Sequence, residues 1–148
     1  MPIIKCKHKC KACDDQGDSD IKFLRFGTYT LPTKPWACKQ KDSIYLVECN
    51  VCPKRTVYNG HSYMQVNTRI GLHYRNKKVK NSNKLDQHFL LVHPEISMHT
   101  NVTVYLVSGE IPDKNNREGR EQGIRRSIRK GEREAGIKET CLLNHNML

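Results

Sequence analysis

The chain is 148 residues long, with 26 lysines and arginines against 15 acidic residues, a net charge of +11 and a pI near 9.4. That length excludes a multidomain architecture and leaves one domain, or one domain with a small appendage. The charge makes nucleic acid the first candidate partner, because each neutralised phosphate releases counterions; the bland alternative is a solvated basic surface with no ligand.

Hydrophobic residues make up 36% of the chain and aromatic residues 7%, so an apolar core alone would be marginal and metal staples would help. The seven cysteines are Cys6, Cys10, Cys13, Cys38, Cys49, Cys52 and Cys141. No apolar leader segment follows Met1, and no run approaches membrane-spanning length. An odd cysteine count with close pairs and seven histidines favours metal ligation in a reducing compartment over disulfides. The expected location is intracellular and nuclear.

In chain order, "KCKHKCKACDDQGDSD" is cysteine-rich, then acidic and loop-like. "IKFLRFGTYTL" predicts two short strands around Gly27. "IYLVEC" (Ile44 to Cys49) and "TVY" (Thr56 to Tyr58) predict a hairpin with a slightly long connection that includes Pro53. "HSYMQVNTRIGLHYRNKK" suits a helix with Ser62 as N-cap. Tyr63, Val66, Ile70 and Tyr74 would face a core, and Arg69 and His73 would share another face. A basic loop follows, then a helix through "KLDQHFLLVH", capped by Ser82 or Asn83 and ended by Pro94. "NVTVYLVSG" is the clearest strand. The last segment has helical composition with Ile124 and Ile128 four apart and Ile137 beyond. Its glycines each cost about 1 kcal/mol inside a helix, so an interruption is expected near Gly131. "REQGIRR" and "REAGIKE" are an imperfect echo, too short for a repeat architecture. The order β, β, α, α, β, α implies an α+β fold, a small central mixed or antiparallel sheet flanked by helices.

Three constellations carry chemistry. Cys49-x2-Cys52 and His88-x4-His93 offer two thiolates and two imidazoles, a closed tetrahedral zinc set. The long gap between the pairs, residues 53–87, excludes a transcription-factor finger. The set would instead staple a hairpin to a distant helix; the bland alternative is a free cysteine pair and two incidental histidines. Cys6, Cys10, Cys13 and Cys38 form a candidate second zinc set in which His8 could replace one thiolate; the alternative is a reduced, unstructured N-terminus. Thirdly, Tyr45 and Tyr58 sit on adjacent predicted strands, Gly60 follows, and Arg69 and His73 come on the next helix. Glu118 and Glu121 open the last helix. Tyrosine, arginine and a glutamate suffice for phosphodiester hydrolysis: a base for water, a cation for the phosphorane, and a carboxylate for a divalent ion. Each also has an ordinary structural explanation in strand packing, solvation or helical ion pairs.

The order of these motifs resembles the GIY-YIG nucleases. "SIY" (Ser43 to Tyr45) and "YNG" (Tyr58 to Gly60) stand for the two signatures, Arg69 in "VNTRIGLH" for the arginine, Glu121 in "REQGIRRSI" for the metal-binding glutamate, and Asn144 in "LLN" for a closing residue. The resemblance is nearest to the endonuclease module of Penelope-like retroelements, which carries a cysteine pair between the signatures, two histidines after the arginine helix, and cysteines upstream. The departures are Ser43 for the first glycine, the polar Asn59 in the second signature, a histidine pair (His88 and His93) set one residue closer than the family's, and Gly123 and Ile124 where the family usually has aromatics.

The resemblance implies a metal-dependent, nicking DNA endonuclease in residues 43–148, preceded by a cysteine-rich, zinc-stapled extension over residues 1–42. Tyr45 or Tyr58 would activate water, Arg69 would stabilise the phosphorane, and Glu121 would hold Mg²⁺ or Mn²⁺. His73 would orient or deprotonate the tyrosine system. Lys77, Lys78, Lys80, Lys84, Arg125, Arg126 and Arg129 would grip phosphates of double-stranded DNA. A reverse transcriptase domain or RNA of a parent element would be a further partner. The rivals are a catalytically degenerate, zinc-stabilised nucleic-acid-binding module and a zinc-stabilised protein-interaction domain.

Overall fold

The computed structural model describes residues 10–16, 21–22, 30–31, 38–76, 83–108 and 110–143. Within them are helices α1 (Lys11–Asp14), α2 (Val66–Asn76), α3 (Lys84–Val92) and α4 (Lys114–Glu134), and strands β1 (Ile21–Lys22), β2 (Thr30–Leu31), β3 (Ser43–Cys49), β4 (Val57–Ser62) and β5 (Val102–Ser108). From β3 onward the order is the expected β, β, α, α, β, α. β1 and β2 pair with each other, and the main sheet is antiparallel in the order β4-β3-β5. The protein is therefore α+β, with helices on both faces of a three-stranded sheet.

The continuous apolar run of β3 suits a central strand covered on both faces. Its alternate residues divide between two cores. Tyr45, Val47 and Cys49 join Ala12, Cys13, Ile70, Leu85 and Phe89 beneath α1, α2 and α3. Ile44 and Leu46 join Val57, Ile124 and Ile128 beneath α4. β4 is an edge strand, and its residues split the same way, with Tyr58 on the first face and Val57 on the second.

Short backbone segments from both ends of the described chain seal the sheet edges. Cys141 and Leu143 bracket Val57 on the outer side of β4. The Asp15 carbonyl accepts the Val104 N–H on the outer side of β5. The cysteine-rich segment is thus packed into the main core: Ala12 and Cys13 are buried, and Asp15 accepts the Thr100 N–H and the Tyr74 hydroxyl.

Four local expectations need correction. Ser62 ends β4 and accepts the Met64 N–H. The first N–H groups of α2 go instead to the carbonyls of Gln40 and Cys38, so distant backbone satisfies donors that a side-chain cap would otherwise take. Tyr63 precedes α2 and is 66% exposed, while Val66 and Ile70 are buried as expected. Lys11–Asp14 forms a helical turn where a loop was expected.

Finally, α4 runs unbroken through Gly131. Ile124 and Ile128 bury against the sheet, and tertiary packing outweighs the glycine propensities. The helix stops at Gly136, whose φ is +77°. Gly136 N–H bonds the Arg133 carbonyl and Ile137 N–H the Glu132 carbonyl, the two bonds of a Schellman motif. Ile137 is therefore the residue beyond the stop, not a continuation of the apolar stripe.

Candidate edge cleft and metal centre

The β4 edge lets residues from opposite faces of the sheet meet. A cleft of about 270 Å³ lies there, with Tyr58, Gly60 and Arg69 on one side and His61, Glu121 and Arg125 on the other. Glu118 and Gln122 complete its wall.

Gly60 stands opposite Tyr45 in the β3–β4 register. A Cβ there would lie 2.6 Å from both Cζ and the hydroxyl of Tyr45 and 2.8 Å from the Tyr58 ring. Only glycine lets the strand pass that close to both rings. The two tyrosines share a face, their ring centroids 6.4 Å apart.

From α2, Arg69 Nε–H donates to the Tyr45 hydroxyl at 3.2 Å, and His73 Nε2 lies 2.8 Å from the same oxygen. Arg69 also bonds Tyr58. His73 Nδ1 lies 2.9 Å from Asp86 Oδ1. Asp86 sits in the first turn of α3 beside the N-cap Asn83, which donates to Asp86 Oδ2 at 3.0 Å and accepts the Asp86 N–H at 3.0 Å. Burial pushes both tyrosines above the ordinary phenol range and His73 below the ordinary imidazole range, although Asp86 pulls the histidine up.

From α4, Glu121 Oε1 meets Arg125 at 2.8 Å, and its Oε2 meets His61 Nε2 at 3.3 Å. Burial raises the Glu121 pKa to about 7 against the pull of Arg125. His61 in turn accepts the Arg117 Nε–H on Nδ1 at 3.1 Å. Since an arginine only donates, the imidazole proton belongs on Nε2, facing Glu121. Burial and Arg117 together depress the His61 pKa.

The structure thus brings Tyr58, Arg69 and Glu121 onto one cleft and gathers Tyr45, Arg69 and His73 into one hydrogen-bonded group. Tyr45 itself is 2% exposed and forms no part of the cleft wall, so of the two candidate tyrosines only Tyr58 stands there with Arg69 and Glu121. Glu118 is half-exposed and 4.0 Å from His61. Among the expected phosphate grips, Arg126 is exposed. Arg125 is buried against Glu121, and Arg129 pairs with Glu132, so these two act as internal counter-ions. Lys84 is partly exposed at the start of α3. Lys77, Lys78, Lys80 and Asn144 lie outside the described residues.

Asp86 and His61 were not anticipated. The first reads as an ordinary acidic residue in a helix's first turn, and the second follows Gly60 directly, the one hint available.

The second feature is a cysteine–histidine cluster. Cys49 ends β3, Cys52 lies in the following loop, His88 is on α3 and His93 is its C-cap. Their ligand atoms all lie within 4.8 Å of one another. Sγ of Cys52 is 3.3 Å from Nε2 of both His88 and His93, and Sγ of Cys49 is 3.5 Å from Nε2 of His93. A tetrahedron with bonds of about 2.3 Å to sulfur and about 2.0 Å to nitrogen has S···N edges of roughly 3.5 Å. The donor set fits a metal ion such as zinc. Burial and the neighbouring Cys52 raise the Cys49 thiol's pKa, a penalty that a cation between the sulfurs removes.

Cys10, Cys13 and Cys38 form another convergent set that can hold a metal, with Sγ of Cys10 and Cys13 3.3 Å apart. Cys6 and His8, its expected further ligands, lie outside the described residues. Among the described residues, no helix is long and apolar enough to cross a membrane.

No protein-family model, curated protein or solved structure matches this chain.

Proposed function

We propose that the protein is a metal-dependent endonuclease of GIY-YIG type that nicks duplex DNA, related to the module of Penelope-like retroelements. The observation that carries this reading is the meeting of Tyr58, Arg69 and Glu121, drawn from a strand and two helices on opposite faces of a sheet, in one edge cleft. Hydrolysis forms a bond from water oxygen to phosphorus and breaks the bond to the leaving ester oxygen. A tyrosine takes the water proton while its own hydroxyl proton passes to solvent in the cleft, a loss that the neighbouring Arg69 charge favours against the effect of burial. Tyr58 is the tyrosine on the cleft wall, so it is the one placed to do so. Arg69 meets the charge that grows on the phosphoryl oxygens, where a preorganised donor is most effective. Glu121 would hold Mg²⁺ or Mn²⁺, which neutralises charge on the leaving oxygen. One carboxylate plus substrate phosphate is an ordinary magnesium site, provided that Glu121 exchanges its contact with His61 or Arg125 for the ion.

Zinc at Cys49, Cys52, His88 and His93 is structural in this reading, since all four positions are protein ligands. Cys10, Cys13 and Cys38 would hold a second structural zinc. Lys84 and Arg126, with the lysines of residues 77–80, supply the backbone grip on DNA, and a nuclear location follows from the substrate.

The test is nicking of supercoiled plasmid by wild type beside Arg69→Ala, with Mg²⁺ or Mn²⁺ and with a chelator. Metal-dependent nicking by wild type alone is expected. One observation favours a rival: both Glu121 oxygens are already engaged, as they would be in a degenerate binding module. Wild type that binds plasmid without nicking it supports that module. Binding that is absent or insensitive to salt points to a protein-interaction domain.

A further inference from the structure

We propose that Asp86 is a positioning residue for Arg69, acting through a one-directional chain of buried hydrogen bonds that runs from Arg69 through Tyr45 and His73. The proposal deepens the nuclease reading and rests on it for what the guanidinium does in the cleft.

The direction of each link follows from donor chemistry. A guanidinium has no acceptor, so Arg69 Nε–H donates to the Tyr45 oxygen at 3.2 Å. At the far end, Asp86 accepts from Asn83 on Oδ2 and faces His73 Nδ1 with Oδ1 at 2.9 Å. Two groups face His73 Nδ1, Asp86 Oδ1 at 2.9 Å and the Asn83 amide nitrogen at 3.2 Å; the carboxylate is the nearer and only accepts, and Asn83 already donates to its Oδ2 at 3.0 Å, so the imidazole proton is assigned to Nδ1. His73 Nε2 is then a lone pair, and the Tyr45 O–H, 2.8 Å away, donates to it. Every link points from the cation to the anion. Tyr45, His73 and Asp86 are 2%, 1% and 0% exposed, so water cannot substitute for a lost partner.

Two roles compete for such a chain, proton transfer and orientation. Transfer would move the tyrosyl proton onto His73. Burial opposes this at both ends, by raising the tyrosine and lowering the histidine. Tyr45 is also absent from the cleft wall, whereas Tyr58 is on it. Orientation has no such obstacle. With Nε committed to Tyr45, the Nη end of Arg69 is left for Tyr58 and for a phosphate. Asp86 is what excludes the reversed chain. If His73 carried its proton on Nε2, it would donate to Tyr45 and turn the tyrosyl proton against Arg69, donor against donor.

Asp86→Asn tests this. Its amide can satisfy Asn83 through oxygen only by presenting N–H to His73, which moves the histidine proton to Nε2. Tyr45→Phe cuts the chain at a different link and guards against a fold failure at Asp86; retained zinc content and circular dichroism qualify each variant. Three readouts apply to the full chain. In ¹⁵N NMR, wild-type His73 should show a protonated Nδ1 and an unprotonated Nε2, and Asp86→Asn should exchange them. The Arg69 Nε–H should be slowly exchanging in wild type and should broaden in both variants. In plasmid nicking with Mn²⁺, each variant should lose about 10- to 10²-fold in kcat with plasmid Kd nearly unchanged, the scale of a mispositioned group. The double variant should lose no more than the worse single one, because both act on one chain. An unprotonated Nδ1 in wild type, or losses that multiply in the double variant, overturns the proposal. So does an Arg69 Nε–H untouched by Asp86→Asn. Wild type that never nicks, with the NMR results as expected, removes the nuclease reading and leaves the chain standing.

Discussion

The cysteine–histidine cluster and the edge cleft are assembled from the same sheet and helices but are held in different ways. The cluster brings together four ligands whose donor atoms converge as a metal site requires, and a cation bound there would tie β3 and its following loop to α3. The cleft's groups are held by one another: Arg69 by Tyr45, Glu121 by Arg125 and His61, and His73 by Asp86. The first is a joint whose loss should loosen the fold. The second is a preformed arrangement whose loss should cost chemistry and little stability. α3 connects them, because it carries Asp86 at its start and His88 and His93 toward its end.

The sharpest way to break this contrast is to remove the joint. Cys52→Ala, or a strong chelator on wild type, should cost several kcal/mol, because metal binding free energy is folding free energy in such sites. Thermal unfolding should fall by about 10 °C or more. An unchanged transition under chelation would mean that α3 is held without metal. Next in size is Arg69→Ala. It should slow nicking by roughly 10²–10³, or about 3–4 kcal/mol in the transition state, while thermal stability and DNA affinity stay close to wild type. A large loss of stability would show that the cleft is also a joint.

Gly60→Ala tests how tightly the cleft is built. The new methyl would meet Tyr45 at 2.6 Å, so ring or strand must shift, at roughly 1–3 kcal/mol. The unfolding midpoint in urea reads this loss, and a neutral variant would mean that the Tyr45 ring gives way freely. The smallest expected effect is one of pH. Burial raises the Glu121 pKa from 4.5 to about 7, so the folded state favours the protonated carboxyl. Its contribution is fully present below about pH 4.5 and is lost as pH rises through about 7. The melting temperature of wild type relative to Glu121→Gln should therefore fall between about pH 5 and about pH 7.5. A difference that stays flat or rises would mean that Arg125 and His61 outweigh the burial.

How far the sequence anticipates these two regions depends on the range of the interaction. Cys49-x2-Cys52 and His88-x4-His93 are local spacings with one obvious chemistry, and they do converge. The β-rich run from Ile44 to Cys49 and the β, β, α, α, β, α order are also local, and the α+β class follows from them. What stayed hidden depends on long-range geometry. Asp86 resembles any first-turn acidic residue until α3 packs against α2. His61 meets Glu121 only because α4 packs on the face of β4 that carries His61, a pairing between residues far apart in the sequence. The unbroken α4 was obscured because glycine propensity is visible in a sequence, while the burial of Ile124 and Ile128 that outweighs it is not.

The two short segments at the sheet edges bear on how the protein behaves in concentrated solution. An open strand edge recruits other strands, and three strands leave two such edges. Here Cys141 to Leu143 occupy the edge at Val57, and Asp15 and Gln16 occupy the other at Val104. Each works as a built-in stopper against self-association. Trimming by a protease at either segment would then do more than shorten the chain. It would uncover backbone donors and acceptors beside Val57 or Val104 and open the sheet to edge-to-edge pairing with other chains.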